Sequence, residues 1–122
     1  RELGTFEMKS TSITMIAGRN RAANAQINFE GTIAGELEAT TIATMTIENN
    51  GDEDGKYDIV ARAIFPDGEI LDANGHGKTN HAGAQKWNVA GIAEMSDGRS
   101  YAIQGEIDFS ARAFTGKMFE RL

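Results

Sequence analysis

His76 and His81 are the chain's only imidazoles. Imidazole is the side chain best placed to exchange a proton near neutral pH or to share a metal ion. The two lie five residues apart in a glycine-rich stretch with no third ligand in view. Exposed loop histidines are therefore the plain expectation, and proton transfer at a cavity mouth the sharper one. Glu7 and Lys9 share one face of a strand and would form a proton-transfer pair if that face turned inward; outward and wet is the expectation. Asn50-Gly51-Asp52-Glu53-Asp54-Gly55, with Asp58 further on, imitates the start of a calcium loop. The twelfth place, which requires a bidentate glutamate, is Ala61, and no helices flank it, so a solvated acidic hairpin loop is expected and no metal site. Gly77-Lys78-Thr79 resembles the end of a phosphate-binding loop, but its partner glycine is replaced by Asp72 and no helix follows. His76, His81 and Glu7 remain as catalytic candidates, without a constellation around them.

A second group points to binding rather than reaction. Tyr57, Trp87 and Tyr101 fall on the predicted inward faces of three different strands. Aromatic rings with a polar tip offer flat apolar contact and one hydrogen bond to an enclosed ligand. Phe29 adds another ring, and Met45 and Met95 add adaptable walls. The competing account is that these six side chains simply fill a core.

The elements that must position them are strands. From Tyr101 to Ala113 the odd positions run Tyr, Ile, Gly, Ile, Phe, Ala, Ala, while the even positions are polar or small. A period of two is the mark of a strand with one dry and one wet face. Leu37 to Ile47 alternates in the same way against Glu36, Glu38, Thr40, Thr44, Thr46 and Glu48. Further strands are expected over Leu3 to Ile16, with a bulge near Ser10 to Ser12 where the apolar phase changes, and over Ala23 to Ile33. Lys56 to Phe65, Glu69 to about Ala73 and Gln85 to Ser96 complete the core set. Pro66-Asp67-Gly68 and Asp97-Gly98 are turn signals. Asn74 to Ala84 reads as an irregular connection or a distorted edge strand. A bend is expected at Phe114-Thr115-Gly116, followed by a short closing strand.

Seven or eight strands in sequential antiparallel order, without an amphipathic helix, predict a single all-β domain over residues 1–122. The expected form is an up-and-down β-barrel, since closure removes both exposed edges, with a β-sandwich as the alternative. Val, Ile, Leu and Phe total 24 residues, against 17 Ala and 14 Gly. A barrel lined so heavily by small residues is expected to leave a ligand-sized interior.

Composition narrows the partners. Twelve Lys+Arg against 18 Asp+Glu give a net charge of -6 with no basic cluster, which argues against nucleic acid. The absence of cysteine removes disulfide and thiolate chemistry and suits a cytoplasmic location. No apolar run reaches the roughly 20 residues of a membrane helix. The chain begins at Arg1, so a leader could have been removed.

Gly4-Thr5-Phe6-Glu7-Met8, the passage Phe29-Glu30-Gly31-Thr32-Ile33-Ala34-Gly35-Glu36 and the late strands bearing Gly91 and Gly105 resemble the allene oxide cyclase-like barrel group, which includes dirigent proteins. The resemblance implies an eight-stranded, frequently oligomeric barrel whose lumen holds an apolar small molecule and sometimes steers a cyclisation. It carries over no catalytic residue and no cofactor. Lipocalins are a further resemblance, but their Gly-x-Trp near the first strand is missing. The functional expectation is a barrel that binds a small, largely apolar molecule, as a carrier or as a cyclase or isomerase that shapes its substrate. The alternative is a structural or assembly module that oligomerises through its sheet faces. A hydrolase using His76 or His81 ranks below both.

Overall fold

The computed structural model describes residues 1–48 and 54–121. Eight strands follow one another in order: β1 (Glu2–Ala17), β2 (Ala23–Gly35), β3 (Ala39–Glu48), β4 (Asp54–Ile64), β5 (Ile70–His81), β6 (Lys86–Met95), β7 (Ser100–Asp108) and β8 (Ala113–Glu120). A single 3-10 turn, Arg19–Arg21, links the first two. Each strand pairs antiparallel with the next, and β8 returns to pair with β1, so the sheet is a closed up-and-down barrel. The closing seam sets Met8 opposite Phe114, Phe6 opposite Gly116 and Gly4 opposite Met118. A sandwich would leave four free edges; here the ladder runs the whole way round.

Alternation places one set of side chains inside. The inward row through the middle reads Phe29, Ala43, Ala61, Ala73 and Met95 from β2 to β6. The bulge expected near Ser10 to Ser12 is present: the register of β1 against β2 slips between those two residues. It keeps Phe6 and Met8 inside and then brings Ile13 and Met15 onto the same face. Ile27, Met45, Val89, Ile107 and Thr79 are the most completely buried side chains. Phe6 and Phe114 meet edge to face at 4.8 Å, and Phe29 lies 5.5 Å from Phe114.

The alternation from Tyr101 to Ala113 is not one strand. β7 ends at Asp108, whose carboxylate accepts from the Ser110 and Ala111 amides in a turn with Arg112 at φ 55°, and Ala113 opens β8. Two further segments differ from the sequence reading for one shared reason. Asn74 to His81 is regular strand, the second half of β5, and Phe114-Thr115-Gly116 runs straight through β8. Glycine normally weakens strands, which is why both stretches looked broken. In this barrel the glycines are sockets. A Cβ at Gly77 would stand 2.8 Å from Cε1 of Tyr57, and one at Gly91 would collide with the Tyr57 hydroxyl. A Cβ at Gly116 would stand 2.6 Å from Cζ of Phe6. Large rings thus lie flat over bare backbone on the neighbouring strands, Tyr57 across Gly77 and Gly91 and Phe6 across Gly116.

Outward positions carry charges such as Glu7, Lys9, Glu30, Arg62 and Lys117, which a lipid-facing band excludes. No helix among the described residues is long and apolar enough to cross a membrane.

Candidate functional site

With the glycines occupied by rings, the remaining vacancy is set by alanine. Ala43, Ala61 and Ala73 stand in register across β3, β4 and β5, and Ala63 and Ala93 lie one inward step away. A methyl group is the whole side chain at each, so this wall cannot reach the opposite one. Phe6, Met8, Phe114 and Met118 of β1 and β8 form that opposite wall, with Ile33 and Ile103 on the flanks. Between them is a cavity of about 90 Å³ with an almost wholly apolar surface. Such a volume is below the roughly 300 Å³ of pockets for drug-sized ligands and nearer the roughly 150 Å³ apolar cavity known to stay dry and admit benzene.

Tyr57 is the one ionisable side chain in the cavity wall among the described residues. It is 3% exposed, and burial pushes its phenol up to about 12. At neutral pH it is therefore an uncharged hydrogen-bond donor and does not act as a base. Thr41 also lines the cavity, but its hydroxyl donates to the Arg62 carbonyl at 3.2 Å.

Of the six side chains expected to line a ligand, Tyr57 and Met95 reach the cavity. Phe29 and Met45 are packed into the core beyond it, at 2% and 0% exposure. Tyr101 is buried beneath a recess of about 540 Å³ at the end of the barrel, lined in part by Leu3 and Leu37 and rimmed by Arg1, Glu36, Arg99, Glu120 and Arg121. Trp87 lies toward the opposite end, 4.6 Å from the His81 ring and edge-on to Phe109 at 5.4 Å. Phe6, Met8, Ile33 and Met118 complete the cavity although sequence reading did not single them out. Their signal was the inward phase of β1, β2 and β8, which only the closed register turns into a shared wall.

The catalytic candidates are dispersed. Five residues along a strand reverse the face, so His76 points outward and is exposed while His81 closes the inward row. Nε2 of His81 lies 2.9 Å from the Ala84 carbonyl, which can only accept, so that nitrogen carries the proton. Glu7 is exposed on the outer face between Thr32 and Thr115. Lys9 beside it donates to the Ala111 carbonyl at 3.4 Å. Among the described residues no group of three His, Asp or Glu side chains could hold a metal ion. The acidic stretch from Asn50 to Glu53 lies outside the described residues, and Gly77-Lys78-Thr79 is strand rather than a loop before a helix.

No protein-family model, curated protein or solved structure matches this chain.

A second, polar recess of about 850 Å³ occupies the other end, bordered by Arg19, Asn24, Lys56, Lys78 and Asn80. Asn24 Oδ1 is buried there without a hydrogen-bond partner among the described residues. The barrel is thus apolar at mid-height and bordered by charged side chains at both ends.

Proposed function

We propose that this barrel binds a small apolar molecule, the size of a short or cyclic hydrocarbon group, in the cavity against the Ala43-Ala61-Ala73 wall. The observation that carries this reading is the match between an almost unbroken apolar lining and a vacancy created by methyl-sized side chains in register. A dry apolar cavity gives up dispersion contacts that a hydrocarbon can restore, whereas water finds too few polar partners to be held there. Met8, Met95 and Met118 in the wall let the cavity widen for a somewhat larger guest. Turnover of the cyclase or isomerase kind would use the same walls to fold a flexible substrate. Tyr57 would then serve by hydrogen-bond donation, since its phenol keeps its proton at neutral pH.

The test fills the cavity instead of enlarging it. Toluene titrated into the 15N-labelled protein is expected to give saturable shifts for amides around Ala61, Ala73 and Ala93. Ala61→Leu, which puts three more carbons into the space, is expected to abolish those shifts while leaving stability equal or higher. Toluene shifts that persist unchanged in Ala61→Leu, or that never saturate in the wild-type chain, would overturn the reading.

A further inference from the structure

We propose that the outer face of β4 and β5 receives a second copy of this chain about a two-fold axis running along the strands between them. The outward residues stand there in cross-strand pairs: Ile64 with Ile70, Arg62 with Asp72, Val60 with Asn74, and Asp58 with His76. Ile64, Ile70 and Val60 are 37%, 50% and 59% exposed, and Ile42 of β3, beside Arg62, is 49% exposed. Four of the seven large apolar side chains exposed among the described residues are gathered on this patch. A cluster of that kind marks an interaction surface more often than scattered single residues do.

Charge identifies the occupant. A two-fold along the strands lays every β4 position over its β5 neighbour in the other copy, so the surface meets itself. Ile64 then covers Ile70, Arg62 covers Asp72 and Asp58 covers His76, each contact being made twice. Within one copy Arg62 already holds Asp72 through Nε–Oδ1 at 2.7 Å and Nη2–Oδ2 at 3.1 Å. Assembly turns this pair into an alternating square of four charges and sets no like charges against each other at these four registers. An axis between β3 and β4 would place Arg62 on Ile42, and an axis on β4 itself would place Arg62 on Arg62. Only the seam between β4 and β5 satisfies both the isoleucines and the charges. The contact ends at Lys56 and Lys78, which pair across the same seam and would face like charges. Four registers cover about 20 Å of strand. That footprint is below the roughly 800 Å² per partner of a standard interface, so the dimer is weak and concentration-dependent.

Charge exchange tests the axis directly. Sedimentation equilibrium of the wild-type chain at about 100 µM is expected to show mass approaching twice the monomer, in keeping with a small interface. Arg62→Asp alone and Asp72→Arg alone are each expected to stay monomeric, because carboxylates face carboxylates in one and guanidinium groups face each other in the other. Mixed in equal amounts, the two variants are expected to form a one-to-one dimer. Ile70→Thr, which changes no charge, is expected to weaken wild-type association at least tenfold. Far-UV circular dichroism checks that each variant is folded, and Ile70→Thr keeps the test decisive should a charge variant not fold. A wild-type chain that remains monomeric, a mixture that does not dimerise, or variants that associate as well as the wild type would overturn the proposal.

Discussion

A methyl group at position 91 would have to share space with the Tyr57 hydroxyl, and one at position 116 with the ring edge of Phe6 and the neighbouring Gly105 backbone. Gly116→Ala is therefore expected to destabilise the barrel by about 1–3 kcal/mol, the usual range for overpacking. It should lower the urea midpoint with the slope unchanged. Tyr57 makes a separate prediction through its ionisation. Its phenol is pushed up to about 12 by burial, from an ordinary value of 10.0. A group whose folded-state value is raised contributes stability that is intact below its unfolded value and lost as pH climbs through the folded one. Wild-type stability should thus fall between about pH 10 and pH 12, by at most about 2.7 kcal/mol at 1.36 kcal/mol per unit. Tyr57→Phe should remove that share of the alkaline loss. Equal alkaline losses in the two proteins, read from denaturation midpoints at pH 7 and pH 11, would refute this account.

Strands were legible in the sequence wherever alternation was backed by large side chains. Ala39 to Ile47 and Tyr101 to Ile107 follow their period, although the same alternation runs past the strand ends, to Leu37 and to Ala113, and the phase slip around Ser10 to Ser12 gave away the bulge. Glycine hid the rest. Gly75 and Gly77 in β5 and Gly116 in β8 look like breakers until the side chains lying on them, Ile59, Tyr57 and Phe6, are known, and that is a long-range fact. The candidate site was legible by composition but not by residue: the alanines announced a vacancy, whereas the partners closing it depend on β8 meeting β1. One element also extends beyond its neighbour. β1 pairs with β8 only as far as Lys9 opposite Ala113, whereas its pairing with β2 continues to Ala17. From Ser12 to Ala17 one edge of β1 lacks a ladder partner among the described residues, and Ile13, Met15 and Ile16 are exposed on this arm. Hydrogen exchange should show it. Alternate amides from Ser12 to Ala17 are expected to exchange orders of magnitude faster than those from Thr5 to Lys9, which are held on both sides. Uniform protection along β1 would mean that another strand covers the edge.

In an up-and-down barrel no strand is first in any energetic sense, because each has two ladder neighbours and the ring closes wherever the chain happens to start. The ends of the described chain illustrate this. Glu120 donates its backbone amide to the Arg1 carbonyl at 2.9 Å, and the Arg1 guanidinium bridges Glu36 and Glu120 at 2.6 and 3.0 Å. These ion pairs are exposed and contribute little by themselves; the β1–β8 ladder is what closes the ring. If closure is the dominant source of order, the position of the chain break should hardly matter. A circular permutant that joins residue 121 to residue 1 through a short glycine-serine linker, and opens the exposed turn Pro66-Asp67-Gly68, keeps every ladder intact. It is expected to retain the wild-type far-UV spectrum and toluene binding, with a stability loss of about 1–2 kcal/mol, since the linker confines one loop while the cut releases another. A permutant that is folded but no longer binds toluene would mean that the β4–β5 turn holds the cavity walls in place. One that fails to fold would mean that the β4–β5 hairpin, rather than the closed ring, organises this protein.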